Sequence, residues 1–536
     1  VRRKSGHLLR TTHYCYNCAM RFFNTAGPCN PADHYMLPAL ERLAAFDVHR
    51  LIAQKSYFIL HAPRQTGKTT AMLELARQLT ASGEYTAVMV SMEVGAAFPT
   101  DIDAAEKAIL NSWQFDVAYQ LPKELQPSTW PDAPEGQRIG AALGAWASAA
   151  SRPLVIFLDE IDALQNEVLI SILRQLRSGY PRRPRGFPAS LALVGLRDVR
   201  DYKVASGGSD RLNTPSPFNV AVGTFTLSNF TPAEVTRLLQ QHTAETGQPF
   251  TPEALSLVFE LTQGQPWLVN ALAKVAVEEL VKVVKEAVTA EHVQTAKERL
   301  IERRQTHLDQ LTDKLRQPRV RHVIEPILAG GLLTAIPQDD LDYVADLGLV
   351  RRLNGRSLEI ANPIYREMIP RALSSITQAS LPAIQPIWLN EDGTLNPANL
   401  LTAFLAFWRQ HGQPLLGSAP YHEIAPHLVL MAFLHRVVNG GGTLEREYAI
   451  GTGKMDLCLR YGEVTLALEL KVWRDGRPDP LAEGLTQLDD YLNGLGLGTG
   501  WLVIFDRRSG LPDISERTSS EAAVTPAGRT ITLIRA

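Results

Sequence analysis

Residues 62–69 read Ala-Pro-Arg-Gln-Thr-Gly-Lys-Thr, and residues 154–160 read Leu-Val-Ile-Phe-Leu-Asp-Glu. The first stretch follows a short apolar run at 57–60 and opens a helical pattern with Met72, Leu75, Ala76 and Leu79 on one face. Strand, loop and helix in that order make a phosphate-binding P-loop. Ala62, Pro63, Arg64, Gln65, Thr66, Gly67, Lys68, Thr69 and Thr70 are its candidate cradle residues. Backbone N–H groups in such a loop face phosphates, and the helix N-terminus adds partial positive charge. Lys68 is placed to reach the β- and γ-phosphates of ATP, and the Thr69 hydroxyl to meet Mg²⁺. Ala62 stands where the pattern has its first glycine, which a Cβ tolerates only if φ is below zero there.

The second stretch completes the site. Residues 154–158 form an unbroken apolar run, as in a strand buried on both faces of a parallel sheet. The run ends in Asp159 and Glu160, at the carboxyl end of the strand, where parallel sheets present residues to ligands. Asp159 is expected in the Mg²⁺ shell, and Glu160 is expected to polarise the attacking water. The two motifs lie about ninety residues apart, each in its structural context, and together they read as an ATP- and Mg²⁺-using machine.

With 536 residues the chain has room for roughly three or four domains. A net charge of −2 excludes a global attraction to nucleic acid or acidic membranes, so such binding must come from local patches. No apolar run approaches the ~18 residues of a membrane span. Cys15, Cys18, Cys29 and Cys458 give no disulfide framework, which fits a reducing cytoplasm. Arg2, Arg3 and Lys4 make the start basic, but no apolar segment follows, so it does not read as a secretory signal. Cys15 and Cys18, with Cys29 and His34, invite a zinc reading, but the spacing is irregular and no second CxxC exists. Residues 1–20 read instead as a loose extension, with Met20 a candidate true start.

From about 35 to 230, apolar runs at 58–60, 87–90, 154–158, 191–196 and 224–227 alternate with helical stretches. This pattern predicts an α/β core with a parallel sheet between helices, spanning 21–228. Thr231 with Glu234 forms a capping box, and helices continue as a lid over 229–290.

These features resemble an AAA+ ATPase, nearest to the branch shared by STAND-type and archaeal or bacterial AAA-like ATPases and origin-recognition relatives. The resemblance is carried by residues 62–69, Asp159-Glu160-Ile-Asp-Ala-Leu164, Gly195-Leu-Arg-Asp198 and Gly264-Gln-Pro-Trp267. It implies that Pro266 packs near the adenine. It also implies that Arg197 senses the γ-phosphate, supported by Asp198 and Arg200. Residues 35–42 resemble the stretch before the P-loop that touches the base. The resemblance further implies a homo-oligomer, since AAA+ sites usually borrow an arginine from a neighbouring subunit.

Residues 291–372 read as a winged-helix module, with helices leading to alternating runs on either side of Asn354-Gly355, a two-residue hairpin signal. Lys314, Arg316, Arg319, Arg321, Arg351, Arg352 and Arg356 cluster there, either to meet nucleic-acid phosphates or as a solvated face. A second basic stretch spans 174–185. Residues 373–400, rich in Ser, Pro, Asn and Ala, read as a linker.

Beyond it, over 401–536, Asp456 precedes the run Leu-Ala-Leu-Glu-Leu-Lys at 466–471. Both segments read as antiparallel strands joined by a turn at 460–463. Period-two geometry sets Glu469 and Lys471 on one face, and Asp456 on the neighbouring strand joins them. Two carboxylates and an ammonium suit a Mg²⁺-dependent phosphodiesterase, with Asp456 and Glu469 holding the metal. Over about 400–510 the order of elements resembles the PD-(D/E)XK nuclease superfamily, a restriction-endonuclease-like α/β fold. Gln487-Leu-Asp-Asp-Tyr491 is similar to the Gln-xxx-Tyr helix of RecB-like members. On that resemblance Glu423 supplies a first acidic residue, Gln487 joins the site and Tyr491 positions it. The sequence thus reads as an ATPase controlling a nuclease-type domain on DNA. Two rivals stay open: a STAND-type signalling switch, and an ATPase with an inactive nuclease fold kept for binding.

Overall fold

The computed structural model describes residues 20–196, 218–303, 306–328, 336–353, 357–380, 386–418, 424–438, 441–450 and 453–536. The chain divides into two compact units, Val1–Arg303 with Asp346–Gly348, and Arg304–Ala345 with Leu349–Ala536.

In the first unit, strands β1 (Tyr57–His61), β2 (Thr86–Ser91), β3 (Leu154–Asp159), β4 (Ser190–Gly195) and β5 (Ala221–Thr226) lie in the order β2-β3-β4-β1-β5. Every pairing among them is parallel. Parallel neighbours need crossovers. Helices α1 (Lys68–Ala81), α2 (Ile102–Gln120), α3 (Arg138–Ala149) and α4 (Asn166–Gly179) run between these strands. Along β1 the side chains alternate: Tyr57 and Ile59 join one core with Trp113, Leu143 and Leu173, while Phe58 and Leu60 join another with Met72 and Leu75. With both faces covered, β1 to β4 carry unbroken apolar runs, as the sequence pattern predicts, whereas the edge strand β5 is only half-buried.

Four helices follow: α5 (Pro232–Thr246), α6 (Pro252–Thr262), α7 (Pro266–Val275) and α8 (Ala290–Arg303). The capping box at Thr231 and Glu234 is formed in both directions. Gly264 turns the chain between α6 and α7 at φ +70, its carbonyl accepting Phe230 N–H at 2.8 Å. A Cβ there would come within 1.9 Å of Phe230 O, so only glycine fits.

Helices α9 (Thr306–Lys314), α10 (Pro318–Leu328) and α11 (Gln338–Asp346) precede an antiparallel pair, β6 (Val350–Leu353) and β7 (Ser357–Ile360). The register pairs Leu353 with Ser357, so three residues join the strands where the sequence suggested two. Such loops are the next most common hairpin class. Asn354, Gly355 and Arg356 lie outside the described residues.

The expected linker is also corrected. Helix α12 (Pro363–Ser380) runs through its first part, anchored where Leu373 and Ser374 are buried. Once a helix is nucleated and packed, residues of modest propensity such as Ser and Thr extend it. Helix α13 (Pro397–Ser418) takes the last part, and between the two helices Trp388 and Leu395 enter the C-terminal core.

That core surrounds a six-stranded sheet of β8 (Gly442–Ile450), β9 (Gly453–Tyr461), β10 (Val464–Trp473), β11 (Trp501–Asp506), β12 (Ser519–Val524) and β13 (Thr530–Arg535), ordered β12-β13-β11-β10-β9-β8. Strands β8, β9 and β10 are antiparallel neighbours, whereas β10, β11 and β13 run parallel. Leu466, Leu468 and Leu470 pack on one face with α13 and helix α14 (Ala425–Val438). Ala467 and Cys458 pack on the other with Leu488 and Leu492 of helix α15 (Leu481–Leu495).

Candidate active sites

The first site grows out of the end of β1. Ala62 N–H donates to Gly195 O at 3.2 Å and carries the chain into the loop. Ala62 is absent from the left-handed positions, which Gln65 (φ 58) and Gly67 (φ 92) occupy instead, so the missing first glycine is tolerated. Thr66 is fully buried, its hydroxyl donating to Pro63 O at 2.9 Å. Lys68 Nζ donates to Ala62 O at 2.7 Å and to Pro63 O at 3.0 Å. Burial lowers its pKa, opposed by the charges of Asp159, Asp162 and Glu160.

Strand β3 supplies the acids. Asp159 is 7 % exposed, and its Oδ2 accepts the Thr69 hydroxyl at 2.9 Å. Burial raises its pKa, against the hydrogen bond from Thr69. Glu160 follows at φ 54, its carboxyl also raised by burial and then by Asp159. Asp162 Oδ1 accepts Leu196 N–H at 2.9 Å, tying this turn to the end of β4. Arg197, Asp198 and Arg200 lie outside the described residues. The Thr69 hydroxyl and a buried carboxylate in contact are a hard-oxygen donor pair that fits Mg²⁺.

A cavity adjoins the loop, lined by Gln65, Thr66, Gly67 and Thr70 and by Pro266 of α7. Tyr35, Met36, Leu37, Ala39 and Arg42 line it too, where the sequence resemblance set the base-contacting stretch. One contribution was not read from the sequence. Asn24, Thr25, Ala26, Gly27 and Cys29 form part of the wall, shaped by Asn24, which accepts Ala26 N–H at 3.0 Å and donates to Gly27 O at 3.3 Å. The turn-forming string Asn-Thr-Ala-Gly-Pro was the available signal. Arg42 ends the 35–42 stretch, and its contacts come from the structure: its guanidinium donates to Thr66 O and, at 2.5 Å, to Ser228 O, and stacks on Phe230. Burial pulls its pKa down to about 10, which leaves it charged at neutral pH.

The second site lies at the far end of β10. Asp456 Oδ2 accepts Leu470 N–H at 2.8 Å, bringing it beside Glu469 as period-two reading predicts. Lys471 Nζ lies 2.9 Å from Glu469 Oε1 and 3.4 Å from Glu483 Oε1, and it also donates to Gln487 Oε1 on α15. Glu469 is 2 % exposed, and its Oε2 accepts from no described group. Burial, reinforced by Asp456, pushes its pKa up to about 8. Burial works against the Lys471 ammonium, but Glu469 outweighs it and the pKa is raised. An orphaned carboxylate oxygen beside a second carboxylate fits a divalent cation. Tyr491 lies one turn beyond Gln487, packed against the sheet core. Glu423 lies outside the described residues. Among the described residues no cluster of three or more His, Cys, Asp or Glu is placed to hold a metal, and no helix is long and apolar enough to cross a membrane. The zinc reading loses His34, whose Nδ1 accepts Asn30 N–H at 2.8 Å; Cys15 and Cys18 lie outside the described residues.

The hairpin arginines are engaged locally. Arg319 pairs with Asp340 at 3.1 Å, Arg351 with Glu359 at 2.6 Å, and Arg352 with Asp342. In the stretch 174–185, Arg183 lies over the Tyr180 ring at 3.3 Å, while Arg174, Arg177 and Arg185 are exposed.

The sequence profile of the family described as "AAA-like domain" matches residues 46–369, more than half of the chain. The chain belongs to that family. The AAA-like chain is thus a P-loop ATPase of the AAA+ type. No curated protein matches it. Among solved structures it is similar to a Walker-type ATPase of Pyrococcus abyssi, at 12 % identity and TM-score 0.44, covering 64 % of this chain and 98 % of that one. The Thermotoga maritima RuvB Holliday junction branch migration motor gives 14 % identity and TM-score 0.32, over 60 % and 90 % of the two chains. The Aeropyrum pernix ORC1 protein in complex with DNA gives 16 % and 0.34, over 64 % and 94 %.

Proposed function

We propose that the AAA-like chain hydrolyses ATP with Mg²⁺ and uses the cycle to control a metal-dependent phosphodiesterase site on β10 that acts on DNA. The reading rests on one observation made twice: a lysine and a pair of carboxylates converge at the end of a buried strand. In the first site, Thr69 and Asp159 hold Mg²⁺, which supplies charge neutralisation at the phosphates. Lys68 leaves the carbonyls of Ala62 and Pro63 for the β- and γ-phosphates. Glu160 takes a proton from the attacking water as its oxygen bonds to the γ-phosphorus and the bond to the bridging oxygen breaks. Pro266 packs near the base, and Arg197 senses the γ-phosphate.

In the second site, Asp456 and Glu469 hold the cation, with Glu423 as a further acid. Lys471, steadied by Gln487, steers the attacking water and stabilises negative charge developing on the phosphodiester. The winged-helix reading of 291–372 is kept, but with Arg319, Arg351 and Arg352 paired to acids we assign phosphate contacts first to Arg174, Arg177 and Arg185. The active form is a homo-oligomer.

The test is cleavage of linear and circular DNA with Mg²⁺, with and without ATP, for wild type, Lys68→Ala and Lys471→Ala. Cleavage absent in Lys471→Ala, and responsive to ATP only with Lys68 intact, supports the reading. ATP hydrolysis with no cleavage of either DNA removes the nuclease half and leaves a switch or a binding module.

A further inference from the structure

Beyond the lysine of the second site, β10 continues to Trp473, which period two sets on the same face as Glu469 and Lys471, about 7 Å past Lys471. Trp473 packs against the same core as Leu481 and Leu485 of α15, the helix whose Glu483 and Gln487 contact Lys471. Its ring is held in place by Nε1, which donates to Arg477 O at 3.0 Å. Cζ of Arg508 lies 3.5 Å from the ring centroid. A guanidinium comes that close only when it lies flat on the ring, because an N–H pointed at the ring would hold Cζ farther off.

Arg508 is fixed from the side as well. Its Nε and Nη2 donate to the two carboxylate oxygens of Asp506 at 2.9 and 2.7 Å. Ser509 N–H donates to Asp475 at 3.1 Å, joining the loop after β11 to the loop after β10. With one face on Trp473 and one edge on Asp506, the Arg508 side chain is still 35 % exposed, so that exposure belongs to its outer face and free edge. A rigid cationic plane thus stands at the carboxyl ends of parallel β10 and β11, where such sheets present residues to ligands.

Bases in a duplex are stacked on both faces by their neighbours. An unpaired base has a face to offer, and guanidinium planes take it as aromatic rings do. Asp506 occupies the edge that would fork onto a phosphate, so the plane is what remains for recognition. We propose that Arg508, backed by Trp473, stacks an unpaired base next to the scissile phosphodiester, so that the second site takes single-stranded DNA. This rests on the phosphodiesterase reading above and names its substrate.

The experiment is equilibrium binding of the full chain to a fluorescent single-stranded oligodeoxynucleotide and to the blunt duplex of the same sequence, with Ca²⁺ in place of Mg²⁺. Wild type, Arg508→Ala and Arg508→Lys are compared, and cleavage of both DNAs is then followed with Mg²⁺. Wild type should prefer the single strand. Arg508→Ala should weaken single-strand binding by roughly 5- to 100-fold, the contribution of one stacked base, and leave duplex binding nearly unchanged. Arg508→Lys keeps the charge without the plane and should lose most of the same affinity. If Arg508→Ala does not fold, as judged by circular dichroism, Arg508→Lys decides in its place. No preference for the single strand in wild type, equal losses on both DNAs, or full single-strand affinity in Arg508→Lys overturns the platform alone. Single-strand binding that depends on Arg508, without cleavage of either DNA, supports the platform and removes the phosphodiesterase reading. A wild type that binds neither DNA overturns both.

Discussion

Lys68 and Lys471 both stand near carboxylates at the end of a buried strand, yet their surroundings differ. Lys68 bonds to two loop carbonyls while Asp159 is held by Thr69, so cation and carboxylate are kept apart. Lys471 touches Glu469 directly and is flanked by Glu483 and Gln487. Burial consequently depresses the first ammonium, while the neighbouring carboxylate raises the second. The supports differ too. The first site is a loop with residues at positive φ, Gln65, Gly67 and Glu160; the second sits on extended strands whose alternation alone aims the side chains. A loop-held lysine bonded only to carbonyls can be handed to an incoming phosphate, whereas a strand-held lysine in contact with a buried acid works against the burial that favours that acid's neutral form.

Lys68→Ala tests the first half of this contrast most severely. ATP hydrolysis should fall by about 10³-fold in a phosphate-release assay, as expected on removing a principal electrostatic contact to the transferred group. The melting temperature should move by no more than about 2 °C, because no buried acid is left unpaired. A large drop in melting temperature would mean that Lys68 is as structural as Lys471.

Lys471→Ala should lower DNA cleavage by about 10²-fold or more. It should also destabilise the metal-free protein by roughly 1–3 kcal/mol in urea titration above pH 8, where Glu469 is ionised and loses its counter-charge. Adding Glu469→Gln to Lys471→Ala should recover most of that stability and none of the cleavage. If the single variant is as stable as wild type, the direct pairing contributes nothing and the contrast fails.

Gly264→Ala probes dependence on special backbone positions. With a Cβ 1.9 Å from Phe230 O and a left-handed φ, it should cost roughly 2–4 kcal/mol in the first unit. Equal stability to wild type in urea titration would show that the turn relaxes freely.

The smallest effect is on pH. Burial lowers the pKa of His242, which sits between Tyr35 and Gln248, below its ordinary 6.5. The folded form thus keeps it neutral while the unfolded chain takes up a proton. Its contribution is fully present above about pH 6.5 and is lost as pH falls through the folded pKa. His242→Gln should flatten the acid limb of the melting-temperature curve, and an unchanged limb would exclude His242 as its source.

Legibility followed the range of the interactions. The strands of the first sheet, the face of α1 and the alignment of Asp456 with Glu469 and Lys471 are products of local periodicity and were readable as such. Asn24 and Asn270 were not, nor were the bonds of Arg42 to Thr66 and Ser228, because these reach the cavity beside the P-loop through contacts between distant segments that no local pattern announces. Trp388 was hidden in a stretch whose average composition reads as a linker. The arginines of the helix at 318–328 and of the hairpin show the same limit for charge: a count of basic residues cannot say that Arg319 faces Asp340 or Arg352 faces Asp342.

The sequence by itself determined the strand, loop and helix around residues 62–69 and the strand that brings Asp159 to Thr69, since apolar runs and a loop of set composition leave few other arrangements. Side-chain alternation likewise determined which residues of β10 share a face. Only the tertiary structure decided what completes each site: which segments line the cavity beside the P-loop, which polar atoms are left without a donor, and whether a lysine meets a carbonyl or a carboxylate. Those outcomes depend on packing between segments far apart in the chain, where shape and desolvation, rather than local periodicity, select the neighbour.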